Sequence, residues 1–294
     1  MHSALPDVST VSPLSKTPSL YVVATPMGNL QDISLRGLAV LKSVAAVACE
    51  DTRHSQRLLE AFGIKTKLVA LHEHNEQVAV GQVIKMLEAG QHVALITDAG
   101  TPAVSDPGAR AVARVQDAGF PVVPVPGACA AIAALSASGL ADGHFHFHGF
   151  LPVKSAARKA MLETLRSVPG TLVFYEAPHR IGETLDDLAA TLEPVREIVV
   201  AREITKMFEQ IVRMPIADAP AWLAADPNRS RGEFVLLVSA APPTEGLSPE
   251  TERVLGLLLA ELPVKQAAKL AAAITGASKN DLYERALALK AAAE

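Results

Sequence analysis

The stretch Leu95-Ile-Thr-Asp-Ala-Gly-Thr-Pro-Ala-Val-Ser-Asp-Pro-Gly108 decides the fold class of this chain. An apolar run that begins at Val93 stops at Asp98, and helix-like sequence resumes at Ala109 after a loop rich in glycine and proline. In open α/β sheets, ligands bind where a strand ends in a loop that needs special backbone angles and then leads into a helix. The stretch therefore predicts an α/β fold with a ligand site at the end of this strand.

Length and composition limit the classes of protein to which the chain can belong. Its 294 residues are 49% apolar, which is enough for two domains and a small third unit. The formal net charge of −4 gives no overall basic surface, so any contact with nucleic acid has to be local. Because the only cysteines are Cys49 and Cys129 and no secretory signal is evident, we expect a cytoplasmic protein. No apolar window of about 18 residues predicts a membrane span.

Residues 19–142 are predicted to form an N-terminal α/β domain, preceded by a disordered tail at 1–18. Short β-branched runs alternate there with longer runs of helical periodicity, which favours a largely parallel sheet covered by helices. The predicted strands are 20–24, 45–48, 67–71, 93–96 and 122–125, and the predicted helices are 34–42, 54–62, 76–89, 109–118 and 128–138.

A second α/β domain with a mixed sheet is predicted at 150–241, after a domain seam at 141–152. The predicted strands are 171–175, 197–201, 208–213 and 234–239, and the predicted helices are 155–166, capped by Ser155, 181–192 and 219–225. His144, His146 and His148 alternate within the seam and would share one face of a strand. No cysteine or matched carboxylate flanks them, so we expect no metal site.

A linker at 241–248 leads to a C-terminal helical unit at 248–294. A helix, a turn at Gly276, a cap at Ser278 and a second helix form a helix-turn-helix pattern. Between Pro263 and Lys290 there are five basic and two acidic residues, a net charge of +3. The unit is therefore either a nucleic-acid contact or a small helical cap or dimer contact.

Three loops rich in glycine or proline follow strands of the first domain, at 24–30, 98–102 and 126–130. Neither G-x-x-x-x-G-K-[ST] nor a G-x-G-x-x-G after the first strand is present, which argues against a nucleoside triphosphatase or an ordinary dinucleotide enzyme. Loops that converge on one sheet edge would suit an uncharged or cationic ligand held by backbone groups.

The chain resembles one family in a series of ordered motifs that extends from residue 19 to about 290. The motifs are Thr25-Pro-Met-Gly-Asn-Leu-Gln-Asp-Ile33, Glu50-Asp-Thr-Arg53, His72-Glu-His-Asn-Glu76, Asp98-Ala-Gly-Thr-Pro102 with Ser105-Asp-Pro-Gly108, Pro126-Gly-Ala-Cys-Ala130, Phe174-Tyr-Glu-Ala-Pro-His-Arg180 and Ala201-Arg-Glu-Ile-Thr-Lys206. They are similar to those of the ribosomal RNA small-subunit methyltransferase I family, a branch of the tetrapyrrole methylases. The resemblance implies two α/β domains with a cofactor cleft between them, and S-adenosylmethionine-dependent 2′-O-methylation of a cytidine in the decoding region of 16S rRNA.

The resemblance also implies a set of cofactor-binding residues on the walls of the cleft. These are Pro26, Met27, Gly28, Asp98, Ala99, Gly100, Thr101, Val104, Cys129, Ala130, Tyr175 and Glu176. Many tetrapyrrole methylases have Gly-Asp-Pro where this chain has Gly100-Thr-Pro102, which makes Asp98 the preferred polar contact. Asp98 could instead be only a helix cap or turn acceptor.

A ribose hydroxyl is a poor nucleophile until its proton is accepted, so a general base is expected. Asp51 (or its neighbour Glu50), Asp106 and Lys206 are the catalytic candidates, and the sequence does not rank them. The alternative for Asp51 is a helix cap, and for Lys206 a solvated side chain.

RNA contacts are expected at Arg53, His72, His74 and Arg202. A predicted helix also carries four basic residues with only Glu163 against them, so it could present a local basic surface. These four are Lys154, Arg158, Lys159 and Arg166. The expected partner is 16S rRNA or the 30S ribosomal subunit, and the expected assembly is a homodimer, by analogy with two-domain methylases.

Two alternative functions remain. A tetrapyrrole (precorrin-type) methyltransferase would need neither the helix-turn-helix nor Glu50-Asp-Thr-Arg53. A non-enzymatic regulator that senses a small molecule and binds DNA would usually carry a more basic helix-turn-helix than this one.

Overall fold

The first half of the chain folds into a five-stranded parallel sheet. In this computed structural model the described residues are 14–72, 75–140, 143–242, 247 and 249–291; most of the expected tail, His74 and most of the expected linker lie outside them. The strands are β1 (Leu20–Val23), β2 (Ala46–Cys49), β3 (Lys67–Ala70), β4 (Val93–Leu95) and β5 (Val122–Val125). Their order is β3-β2-β4-β1-β5, and every pairing is parallel.

Helices cover both faces of this sheet, as expected for buried parallel strands. They are α1 (Leu35–Ser43), α2 (Thr52–Ala61), α3 (Glu76–Glu88) and α4 (Ala109–Asp117), and the segment ends with α5 (Ala130–Ser138). Val40 and Leu59 of α1 and α2 pack on one face, while Val83 and Val115 of α3 and α4 pack on the other. The predicted strands and helices of this half are all present, and their ends differ from the predicted ends by at most two residues.

The second half forms a mixed sheet, also as predicted. Its strands are β6 (Phe145–Phe150), β7 (Thr171–Glu176), β8 (Glu197–Arg202), β9 (Gln210–Pro215) and β10 (Phe234–Val238), with helices α6 (Ser155–Leu165), α7 (Ile181–Thr191) and α8 (Ala219–Ala224). The order is β6-β7-β10-β8-β9, and only β6 and β7 run parallel.

Helix α5 joins the two halves into one body. It follows the last strand of the first sheet, yet Ala131 and Ala134 pack in a core with Val173, Val199 and Leu237 of the second sheet. The other face of the second sheet is covered by α6, α7 and α8. Alanine-rich sequence in α5 allows close packing between sheet and helix, and this places the ends of β4, β1 and β5 next to the second sheet.

Three sequence predictions for the second half are corrected. The segment expected as a seam contains β6, which is an edge strand of the second sheet. Strand β9 begins at Gln210 rather than at Phe208, so Phe208 lies in the preceding loop. Ser155 is the first residue of α6, and its hydroxyl donates to Asp187 Oδ1 (2.9 Å) instead of capping the helix.

The predicted basic surface on α6 is largely neutralised, because three of its four cations are paired and only Lys154 is exposed without an ion pair in the described residues. The side chain of Arg158 is fully buried, and its Nε lies 2.7 Å from Asp187 Oδ2. Lys159 contacts the same carboxylate, while Arg166 pairs with Glu163 and Glu193. Burial opposes ionisation, but the hydrogen bonds from Arg158 and Ser155 hold the pKa of Asp187 below its ordinary value.

The C-terminal unit consists of three helices, α9 (Pro249–Glu261), α10 (Val264–Thr275) and α11 (Lys279–Ala291). The last two are the predicted helix-turn-helix, with Gly276 in the left-handed region at φ 74°. Leu255 of α9 packs with Ala268 and Leu282 of the other two in a small core. No described helix is long and apolar enough to cross a bilayer.

The buried Arg158–Asp187 pair gives a prediction for stability. We expect Arg158→Met to lower the free energy of unfolding by about 3 kcal/mol, because it leaves a mostly buried carboxylate without its main partner. Lys154→Ala, at the exposed N-cap of the same helix, is the matched control and should change stability by less than about 0.5 kcal/mol. Urea unfolding measures both; an Arg158→Met protein as stable as wild type would contradict the buried pair.

Candidate active site

The three loops predicted from the sequence meet at one edge of the first sheet. They follow β1, β4 and β5, which are neighbours in the strand order. Thr25 and Gly100 exchange reciprocal backbone hydrogen bonds (2.9 and 3.0 Å), and the Thr25 hydroxyl donates to the Thr97 carbonyl (3.0 Å). The Thr101 hydroxyl donates to the carbonyl of Ala128 in the third loop (2.9 Å). The loops therefore form one connected wall.

The central loop is held in backbone conformations that side chains rarely adopt. Gly100 has φ 83°, and Ala103 and Ser105 have φ values of 67° and 58°. Such strain persists where the surrounding structure fixes it, and it concentrates at functional sites. Gly149 in β6 leaves room for this loop, since a Cβ there would lie 2.7 Å from Ser105 Oγ.

A cavity of about 340 Å³ lies between this wall and the second sheet. Of the predicted cofactor residues, those that line it are Met27, Ala99, Gly100, Thr101, Val104, Cys129, Ala130, Tyr175 and Glu176, and the catalytic candidate Asp106 joins them. Lining residues that the sequence did not indicate are Ser105, Phe150, Ala177, Pro178, Ile204, Glu233, Phe234 and Val235. Most of these lie on the second sheet or its loops, where no glycine-rich motif marks them.

Two aspartates of the central loop have distinct environments. Asp98 Oδ1 is buried and has no hydrogen-bond partner in the part of the chain that the structure describes. Burial raises the pKa of Asp106 to about 6, and the negative charges of Glu50 and Asp98 add to the shift. A carboxylate with this pKa can accept a proton near neutral pH. Asp106 is thus a candidate base in the cavity lining, whereas Asp98 lies outside the lining and directly precedes the lining residue Ala99.

Tyr175 connects the second sheet to the first. Its hydroxyl accepts a hydrogen bond from the Ala131 backbone N–H (3.2 Å), at the first turn of α5, which has no side-chain cap of its own. Burial raises the pKa of Tyr175 to about 12, so the hydroxyl stays protonated. Phe147 and Phe150 make edge contacts with its ring at 5.0 and 5.8 Å between centroids. These contacts fix the ring at the cavity wall.

Glu176 and Lys206 are engaged in ion pairs. Glu176 Oε1 lies 3.1 Å from Arg180 Nε, and its Oε2 accepts from the Thr184 hydroxyl (2.7 Å). Lys206 Nζ donates to Glu203 and Glu233 at 2.8 and 2.9 Å. Burial opposes the charge on Lys206, but these carboxylates raise the pKa of Lys206, so it does not fit a general base. Its stem packs over Gly28, where a Cβ would clash with it.

Helix α2 begins within the Glu50-Asp-Thr-Arg53 motif, and Asp51 is the N-cap of this helix. Asp51 Oδ1 accepts from the backbone N–H of Arg53 (2.8 Å) and of His54 (3.4 Å), and these bonds lower the pKa of Asp51. The capping alternative therefore describes Asp51 better than a base. The Arg53 side chain is 89% exposed.

The other predicted site residues, including Asp98 and Gly28, lie outside the cavity lining. Pro26 is half-buried next to Met27, and the His72 backbone N–H donates to Asn75 Oδ1 (2.9 Å) before α3. Arg202 ends β8, and its Nε donates to the Arg231 carbonyl (2.6 Å). His74 lies outside the described residues.

The Tyr175 hydroxyl gives a second testable prediction. Tyr175→Phe leaves the Ala131 N–H at the start of α5 without its partner, so the free energy of unfolding should fall by about 1 kcal/mol. Tyr283→Phe on α11, a partly exposed ring, is the matched control. Thermal unfolding compares the variants, and a Tyr175→Phe protein that melts with the wild type would show that this bond does not stabilise the interface.

Two family models match the chain. Residues 19–220 match the family described as Tetrapyrrole (Corrin/Porphyrin) Methylases. Residues 245–290 match the RsmI C-terminal HTH domain.

Curated relatives align along nearly the full length. The chain is 54% identical over 272 residues to Ribosomal RNA small subunit methyltransferase I of Pseudomonas aeruginosa, covering 92% of this chain and 96% of that protein. It is 48% identical over 269 residues to the protein of the same name in Escherichia coli O157:H7, covering 91% and 94%.

Solved structures share the fold at low sequence identity. Diphthine synthase matches with a TM-score of 0.59 and 17% identity, covering 76% of this chain and 90% of that one. Uroporphyrin-III C-methyltransferase from Thermus thermophilus, complexed with S-adenyl homocysteine, matches with a TM-score of 0.52 and 19% identity, covering 75% and 97%. The two-sheet architecture, the motifs and the relatives agree: the chain belongs to the ribosomal RNA small subunit methyltransferase I family of the tetrapyrrole methylases.

Proposed function

We propose that this protein transfers the methyl group of S-adenosylmethionine to the ribose 2′-oxygen of a cytidine in the decoding region of 16S rRNA. The observation that carries the proposal is Asp106, a carboxyl with a pKa of about 6 on the wall of the cavity. Relatives about half identical to this chain are named as small-subunit rRNA methyltransferases, which supports RNA over a tetrapyrrole as the substrate. Because the chain belongs to a family of methyltransferases, the alternative of a non-enzymatic DNA-binding regulator is also disfavoured.

The cavity fits the proposed cofactor. Asp98 Oδ1 is a buried acceptor without a partner among the described residues, and a ligand that donates hydrogen bonds or carries positive charge would satisfy it. Asp98 directly precedes Ala99, which lines the cavity together with Met27, Gly100 and Thr101, and these residues offer backbone and apolar surface. One fold neighbour was solved with S-adenyl homocysteine, the product of S-adenosylmethionine after methyl transfer. When bound, the cofactor would supply a methyl group on a positively charged sulfur.

Asp106 is the residue we assign to the proton of the 2′-hydroxyl. Its carboxylate accepts that proton as the ribose oxygen becomes the nucleophile, and its pKa of about 6 lets it do so at neutral pH. Asp51 caps α2 and Lys206 is protonated, so neither competes for this role. The rest of the catalysis is orientation, which the tied loops supply by holding Asp106 at a fixed position.

The substrate is proposed to be the 30S subunit or its free 16S rRNA, and the protein is proposed to act in the cytoplasm as a homodimer.

Incubation of 30S subunits from cells that lack the gene with methyl-labelled S-adenosylmethionine tests the activity directly. Label in the ribose of a cytidine of 16S rRNA is the expected result. Label on a base, or none on RNA, would overturn the assignment, and light scattering tests the dimer.

Replacement of Asp106 tests the assigned base. We expect Asp106→Asn to lower kcat by about 100-fold or more, since general-base catalysis typically contributes that much. In the wild type, the rate should rise with pH through about 6 and then level off, because only the ionised carboxylate accepts a proton. Asp117→Asn, the same change at an exposed position on α4, is the control.

The same variant separates loss of chemistry from loss of folding. The pKa of Asp106 is raised from 3.8 to about 6, so its contribution to stability is full below about pH 3.8 and is lost as the pH rises through 6. Asparagine stays neutral, so Asp106→Asn should melt at a higher temperature than wild type at pH 8 and near the wild-type value at pH 4. An active variant, or one that unfolds at pH 8, would contradict the assignment.

Replacement of Asp98 tests the cofactor site. Asp98→Ala should weaken binding of S-adenosylmethionine by about 10-fold or more, as expected for loss of a hydrogen bond to a charged group. Calorimetric titration measures the dissociation constant, with Asp117→Ala as the matched exposed control. Unchanged affinity would remove Asp98 from the site.

A further inference from the structure

The loop that joins β8 to β9, residues 203–209, displays two large apolar side chains to solvent. Met207 is 91% exposed and Phe208 is 66% exposed. Exposed apolar side chains are common singly, but two in succession next to a cavity indicate a binding surface. The loop borders the cavity, because Ile204 within it and Glu233 bonded to it are both cavity-lining residues.

This loop is rigidly supported. Glu203 and Thr205 have φ values of 51° and 66°, in the left-handed region. The backbone N–H of Thr205 donates to Glu209 Oε2 (2.6 Å), and Lys206 Nζ bonds both Glu203 and Glu233. The Glu203 carboxylate also accepts from the Glu233 N–H (3.0 Å). Residues with unfavourable backbone angles are thus fixed by ion pairs and hydrogen bonds, which holds Met207 and Phe208 outward.

Glycines at two positions permit this arrangement. Gly28 leaves room for the stem of Lys206, and at Gly232, with φ 95°, a Cβ would lie 2.6 Å from the Glu203 carboxylate. The first of these belongs to the loop after β1, so the wall of the cavity and the 203–209 loop are in direct contact. A ligand seated on the loop would therefore lie next to the cavity.

Three carboxylates and three cations lie near the loop, and two of the cations, Arg202 and Arg231, make no ion pair within the described ranges. The carboxylates of Glu203, Glu209 and Glu233 are all bonded to Lys206 or to backbone N–H groups. Arg231 is exposed, and it makes no ion pair with any residue in the described ranges. The side chain of Arg202 lies against Arg231, because its Nε donates a hydrogen bond to the Arg231 carbonyl. Arg202 is paired with Gln210, two residues after Phe208, so both arginines lie at the same end of the second sheet as the exposed ring. Guanidinium groups and an aromatic ring at one end of a sheet match a phosphate next to a nucleobase.

We propose that the 203–209 loop binds an unpaired nucleotide of the RNA substrate, with the base stacked on Phe208 and the neighbouring phosphate held by Arg231. Bases that are not in a duplex stack on aromatic side chains without regard to sequence. The loop would thus hold the strand beside the cavity while the target ribose reaches Asp106. This inference rests on the proposed RNA substrate. It assigns to Phe208 the role of positioning the RNA strand.

The test compares three substitutions of Phe208 in the full-length protein. The Kd for 30S subunits from cells lacking the gene is measured by filter binding, and the KM for the same subunits by methyl transfer. Phe208→Ala and Phe208→Leu should both raise Kd and KM by about 10-fold, since only an aromatic ring stacks, whereas Phe208→Trp should stay near wild type. The affinity for S-adenosylmethionine and kcat should not change. Phe145→Ala, an exposed aromatic on β6 that does not line the cavity, is the control.

Arg231→Gln supplies the second measurement. It should weaken 30S binding and reduce the slope of log Kd against log salt by about one, as expected for loss of one phosphate contact. Unchanged binding in Phe208→Ala, a leucine variant equal to wild type, or a change of oligomeric state in Phe208→Ala would overturn the proposal. A wild type that binds 30S in a Phe208-dependent manner but transfers no methyl group would refute only the proposed reaction. A wild type that does not bind 30S would refute this inference.

Discussion

The reciprocal hydrogen bonds between Thr25 and Gly100 are the contact on which the candidate site depends. They join the loops that follow two adjacent parallel strands, and they satisfy backbone groups that the strand ends would otherwise leave unpaired. Gly100 accepts this contact at a φ of 83°, which other residues would adopt only under strain. The chain then continues through Asp106 in a fixed path, so the position of the proposed base follows from this pairing.

The position of the second sheet, which forms the opposite wall of the cavity, depends on α5. This short alanine-rich helix belongs to the first half by sequence, but it packs its buried face on the second sheet, and Tyr175 bonds its first turn. Apolar contact and one hydrogen bond thus set the separation of the two sheets, and with it the width of the cavity. The raised pKa of Asp106 has the same origin, because the carboxyl is desolvated where the sheets approach.

Much of the fold could be predicted from the sequence because its signals are local. The run before Asp98 and the glycine loops gave the parallel sheet and the edge where its loops meet, and the motifs gave the family. The role of Arg158 could not be predicted, since a basic residue at helical spacing looks the same whether it faces solvent or, as here, a buried carboxylate on another helix. The histidine-rich β6 was missed because polar residues at a sheet edge resemble a connecting segment.

Some residues of the candidate site could also be predicted from local sequence signals, and others could not. The predicted cofactor residues that line the cavity come mainly from glycine and proline loops, whose unusual backbone is visible in the sequence. Ile204, Phe234 and Phe150 could not be found, because their place on the wall depends on how the second sheet packs against α5. The choice among Asp51, Asp106 and Lys206 also needed tertiary structure, since an N-cap, a desolvated carboxyl and an ion-paired lysine differ in their partners and not in their motifs.

The proposed reaction is tested most directly by a map of ribose methylation in 16S rRNA from cells that lack this gene, with the gene restored either as wild type or as Asp106→Asn. We predict that one 2′-O-methyl cytidine in the decoding region disappears with the gene, returns with the wild type and stays absent with the variant. An unchanged methylation map in cells without the gene would contradict it.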